Sequence, residues 1–210
     1  MRHSLKLLVI GLMLSVPRPA DASAIVDTGT PVLGPLTGWS FYTGQYIAGQ
    51  FTIADSYYLQ TIEGYFGNQY SSSPGSVTIA IHSAGPDNNP GGVLYSSVVN
   101  LAAGVMFDWF GVSGSNYLLT PGTYWASFIP SAGIQGLQPG IAPLPLAEYA
   151  AGHDGSWYEN PLNFRDSLGA GVRINADLAP SVPDETSTLG LLAGVSLLGL
   201  AMRLAGLRML

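Results

Sequence analysis

The 210-residue sequence contains no cysteine. That excludes disulfide staples, thiol nucleophiles, thiolate zinc sites and covalently attached haem. Positive charge is scarce as well. Lys6 is the only lysine, and between residues 25 and 180 the only basic side chains are Arg165 and Arg173. The same span carries ten acids: Asp27, Asp55, Glu63, Asp87, Asp108, Glu148, Asp154, Glu159, Asp166 and Asp177. Two positive against ten negative charges leave minus eight with the histidines neutral. Such a surface repels nucleic-acid phosphates and anionic lipid, so no nucleic-acid partner is expected, and neutral sugars or cations remain. Helical periodicity is missing too: no stretch inside that span holds a 3.6-residue spacing over a normal helix length.

Long apolar runs occur only at the two ends. Residues 1–24 have the layout of a secretory signal peptide, with Arg2, His3 and Lys6 ahead of an apolar core from Leu7 to Val16. Ala22-Ser23-Ala24 supplies small residues for cleavage, expected after Ala24. The core is too short to span a bilayer, which argues against a permanent N-terminal anchor.

At the other end, residues 181–210 hold a polar motif, an apolar segment and two arginines. Leu189 to Met202 carries no charge, and apolar residues and glycines run all round it. As a helix it covers about 21 Å, and about 28 Å if extended through Arg203 to Leu207. A bilayer core is roughly 30 Å thick, so the segment spans only if Arg203 reaches to the headgroups. A transmembrane helix is therefore expected, but a short one for a permanent anchor.

Val182-Pro183-Asp184, then Ser187-Thr188-Leu189, then the apolar segment with Arg203 and Arg208, resembles the PEP-CTERM class of C-terminal sorting signals. It is similar to the variant reading Val-Pro-Asp-Ser-Gly-Ser-Thr (VPDSG-CTERM), with Glu185-Thr186 in place of Ser-Gly and the arginines separated by Leu204 to Leu207. The resemblance covers about the last thirty residues. It implies export by a Gram-negative cell, recognition by an exosortase-type membrane enzyme, and delivery to the cell surface or extracellular matrix.

Residues 25–180 have the size of one domain, large enough to bury a core without disulfides. Their pattern has period two. Gln50-Phe51-Thr52-Ile53 and Ser76 to His82 alternate, Thr123 to Ile129 is rich in aromatics, and Gly171 to Asn175 closes the domain. Leu59 to Phe66, Val93 to Leu101 and Val105 to Val112 are further strands. Breakers separate them: Ser73-Pro74-Gly75, Gly85 to Gly92, Gly111 to Asn116 and Pro121-Gly122. The expected fold is all-β, an antiparallel β-sandwich of about eight strands, jelly-roll-like. Pro130 to Phe164, rich in proline and glycine, reads as one long non-strand segment. Its Tyr149, His153, Trp157 and Tyr158 argue that it packs on the domain.

Candidate chemistry is sparse. His153-Asp154 near Glu159 offers an acid–base or metal cluster, but three close polar residues on a Gly-rich loop are more simply solvated. Gly111 to Ser115 lacks the last glycine of a nucleophile elbow and lies among strands, which excludes it. Asp87-Asn88-Asn89 offers hard oxygens for Ca2+ without the spacing of an EF-hand, and reads more simply as a hairpin loop. His82 reads as a surface or strand-end residue. No cofactor and no enzymatic activity are expected.

Aromatics are the one sign of binding. Trp39, Tyr42, Tyr70, Trp109, Trp125 and Trp157 are candidates for stacking on sugar rings. Trp109 and Trp125, on strands, are expected in the core, which leaves Trp157 with Tyr158 as the candidate ligand surface. The sequence reads as an exported envelope or matrix protein with a structural or adhesive role. The alternatives are a carbohydrate-binding module contacting exopolysaccharide and a secreted glycoside-active enzyme.

Overall fold

Strand Gly75–Ala84 (β5) shows why the chain folds as it does. Val77, Ile79 and Ile81 are fully buried on one face, and the strand pairs antiparallel with Pro90–Leu101 (β6) on one side and Gly122–Pro130 (β9) on the other. Alternation puts apolar residues inward at every second position, and the pairing follows from that face. In the computed structural model the described residues are 22–32, 38–139, 142–159 and 169–180. The chain divides into two units, Met1–Leu178 and Ala179–Leu210. Residues beyond Pro180 lie outside the description, as does nearly all of the expected signal peptide.

The first unit is all-β, built from two antiparallel sheets. One sheet joins Ser23–Asp27 (β1), Gly171–Leu178 (β13), Tyr57–Phe66 (β4) and Asp108–Ser113 (β7) in that order, with the short Leu118–Leu119 (β8) beside β4. The other runs Gln135–Pro139 (β10), Gly38–Tyr42 (β2), Gln45–Ile53 (β3), β9, β5, β6. Tyr149–His153 (β11) pairs with β3 and with Ser156–Glu159 (β12). Ser23 and Ala24, at the expected signal cleavage point, pair with Ala176 and Asn175.

Inward residues of both sheets form one apolar cluster, including Ile62 and Phe66 from the first and Phe41, Ile79 and Phe128 from the second. The Phe66 and Phe128 rings meet across the sheets at 5.8 Å. Thr28, fully buried, clips the chain after β1 to the first sheet. Its hydroxyl accepts from the Val172 amide at 2.8 Å, and its own amide donates to the Val172 carbonyl at 3.1 Å.

Several expectations change. There are thirteen strand segments among the described residues, not about eight. Pro130 to Phe164 is not one non-strand segment: β10, β11 and β12 lie within it. These strands are made by partners distant in sequence, β2 for β10 and β3 for β11, so their own alternation is weak. Tyr149 supports the expectation of packing: it is buried, its hydroxyl accepts from the Leu146 amide and donates to the Ala170 carbonyl, and burial pushes its pKa up to about 12. Among the described residues no helix is long and apolar enough to cross a membrane.

Candidate functional site

The end of β2 and the loop after β4 meet beside β10, and an open cleft of about 450 Å3 lies between them. Ser40, Tyr42, Thr43, Tyr70 and the run Gly133 to Leu137 line it. Its structural hub is Asn68, fully buried and bonded through every polar group. The side-chain oxygen accepts from the Gln135 amide at 2.8 Å, and its nitrogen donates to the Ser73 and Ala102 carbonyls, each at 3.2 Å. The Asn68 backbone bonds Val105, Ser71 and Gly104. A polar side chain can be buried so deeply because all its donors and acceptors are matched.

Two further bonds fasten this loop to β10, from the Gly67 amide to the Leu137 carbonyl and from the Tyr70 amide to the Gln135 carbonyl. The approach is so close that a Cβ at Gly136 would overlap the Gly67 carbonyl oxygen. Gly133 adopts φ 93°, a left-handed conformation that turns the chain into β10 beneath the cleft. Thr43 closes the far side by donating to the Ser131 carbonyl at 2.8 Å.

On this fixed frame two tyrosines stand out into solvent, Tyr42 at 42% exposure and Tyr70 at 65%. Among the described residues none lining the cleft is charged. The buried Ile134 belongs to the apolar core, so the cleft rests on the packed interior. Aromatic faces, hydroxyls and backbone amides over an uncharged floor are suited to a neutral, hydroxyl-rich ligand.

The other candidates are dispersed. Trp157 sits on β12, half-buried, edge-on to Tyr46 at 4.7 Å and to His82 at 5.7 Å. Its ring is used in packing on a small outer cluster of Ala48, Trp125 and Ala150. Tyr158 follows it on the same strand, paired in register with Ala151. Trp125 is buried as expected.

Trp109 is not in the core. It lies half-buried on the outer face of the first sheet, beside Tyr65, with the Arg173 guanidinium 3.9 Å over its ring. Position 109 falls on the outward phase of β7, opposite Tyr65, while the inward phase belongs to Phe110 and Val112.

His82 is buried, not a surface residue. Its Nδ1 lies 3.0 Å from the Gly91 carbonyl, which can only accept, so Nδ1 carries the proton and Nε2 accepts from the Ser127 hydroxyl at 2.8 Å. Burial holds its pKa below the ordinary 6.5, and the bond to Gly91 opposes that less strongly. His153 Nδ1 and Asp154 Oδ2 lie 2.9 Å apart, both side chains exposed, at the β11–β12 turn. Asp87, Asn88 and Asn89 lie in the turn between β5 and β6. Asp87 and Asn88 have left-handed φ, and the Asn88 side-chain oxygen accepts from Gln50 Nε2 at 2.6 Å. Among the described residues no group of three or more His, Asp or Glu side chains is arranged to hold a metal.

The sorting-motif residues Val182, Pro183, Asp184, Ser187, Thr188, Leu189, Arg203 and Arg208 lie outside the described residues. Sequence reasoning named Tyr42 and Tyr70 among the aromatics but had no means of joining them, since they are brought together by β10. No protein-family model matches the chain, and no curated protein matches it.

Proposed function

We propose that this is an exported protein of the cell envelope or extracellular matrix with an adhesive role, exerted by holding neutral exopolysaccharide in the Tyr42–Tyr70 cleft. The observation that carries the reading is that cleft: two exposed aromatic rings on a rigid, uncharged frame, in a strongly acidic chain. A polysaccharide offers hydroxyls to the backbone and small polar groups, and its axial C–H faces to the tyrosines. An open-sided cleft admits a polymer that continues past both ends. Among the described residues the lining holds no carboxylate, whereas glycoside cleavage draws on two, so the reading is binding without turnover.

Two antiparallel sheets around a shared core support a jelly-roll-like sandwich as the finer description. Delivery rests on the sequence: a signal peptide ending near Ala24 and a PEP-CTERM-like tail. The export machinery and an exosortase-type enzyme are the partners of that route, with the tail helix in the inner membrane at least until processing.

Affinity electrophoresis through gels containing neutral glucans or the cell's own exopolysaccharide tests the binding claim. The chain is retarded, and the Tyr42→Ala/Tyr70→Ala variant loses about 2 kcal/mol, roughly 30-fold in Kd. Retention that does not depend on these two rings, or none on any polysaccharide, would overturn the reading.

A further inference from the structure

An open edge strand is a template for another strand, and folded proteins usually blunt it with charge, proline, shortness or a covering loop. Most edges here are blunted. β10 is capped by the bonds from Gly67 and Tyr70. β1 has five residues, a bulge and Asp27. β7 has six residues and begins at Asp108. β12 has four and ends at Glu159.

β6 differs. It runs twelve residues, pairs on one side with β5, and ends the order of its sheet. Among the described residues no backbone is bonded to its free side. Its only proline is the first residue, and no charged residue occurs anywhere from Asn88 to Phe107. Val93 and Val98 are 59% and 55% exposed along it.

We infer that β6 pairs antiparallel with β6 of a second copy, joining two domains into one continuous sheet. The free amides and carbonyls of an edge are complementary to those of another edge, and two identical edges satisfy each other through a two-fold axis. Charge selects the place. A domain of net minus eight repels its own copies over most of its surface, and β6 is a long strip where that repulsion has no local source. Val98, on the outer face, then gains a cross-strand contact. The inference is independent of the polysaccharide reading, because β6 shares no residue with the cleft.

The geometry gives a sharp test. With the two-fold normal to the sheet, directly opposed residues share a face, so the axis passes midway between the two copies of one residue, which meets its own copy. The chain has no cysteine, so single cysteines placed in turn from Leu94 to Asn100 report on that meeting without background. The full chain is used in mild detergent, with Ala54→Cys, on an exposed bend outside β6, as the reference for tail-driven association.

Oxidation is expected to cross-link one β6 position several-fold above the reference, with yields falling on both sides of it. Val98→Glu, or Ser96→Glu where position 98 itself carries the cysteine, is added to the cysteine that cross-links best and is expected to remove that excess at an unchanged thermal midpoint. Cross-linking no higher along β6 than at Ala54→Cys overturns the inference, as does an excess that survives the added glutamate.

Discussion

His82 is where residue identity and burial conflict most openly. A histidine on the outward phase of an edge-proximal strand reads as solvent-facing, yet Trp157 and Ser127 enclose it. Nothing local announces this, since the cover comes from a strand some seventy-five residues later. The cost is a pH dependence. With the folded pKa below 6.5, the unfolded chain binds the proton more readily, so the neutral ring's stabilisation is whole above that pH and declines as pH falls through it. The thermal midpoint is therefore expected to drop from pH 7 towards pH 5. His82→Gln should be less stable at pH 7 and flatter across that window. An equal slope in both proteins would mean that other groups set it. Asn68 shows the same limit of reading: nothing in its sequence neighbourhood marks it as the buried hub of the cleft, because its partners lie as far away as Gln135.

Strands were legible where alternation or aromatic content marks them. β5 alternates because Val77, Ile79 and Ile81 meet the core, so Ser76 to His82 reads as a strand without any partner in view. β9 is marked by its aromatics instead, since Tyr124 to Phe128 are buried on both faces. β10, β11 and β12 were not legible. Gly136 and Gly152 remove the alternation, Ala150 and Ala151 blur it, and prolines before Tyr149 suggest loop. Their strand form is settled by hydrogen bonds to β2 and β3, which are tertiary facts. The cleft depends on that non-local element. Gly136→Ala should push β10 off the Gly67 carbonyl, at a cost of about 2 kcal/mol. Denaturant unfolding checks the stability, and affinity electrophoresis should show weaker retention in the same variant. A variant as stable as the wild type would mean that β10 can move without consequence.

For the molecule as a whole, the lack of cysteine, the acidic surface and the all-β interior agree with one another. A core shared by two sheets needs no disulfide, and an uncharged cleft in an acidic surface favours neutral ligands over anionic ones. Fold class was readable from period-two patterning and the absence of helical spacing. The ligand surface was not, because Tyr42 and Tyr70 are twenty-eight residues apart and meet only through β10.

Delivery of the chain to the cell exterior as a surface module is the proposal on which the rest depends. Mass spectrometry of both termini of the protein recovered from the envelope, in cells with and without the sorting enzyme, tests it. A mature N-terminus at Ile25 and a C-terminus within or just after the Val182 to Leu189 motif are expected, with the tail through Leu210 retained only when the enzyme is missing. A chain that still runs from Met1 to Leu210 in cells holding the enzyme would contradict it.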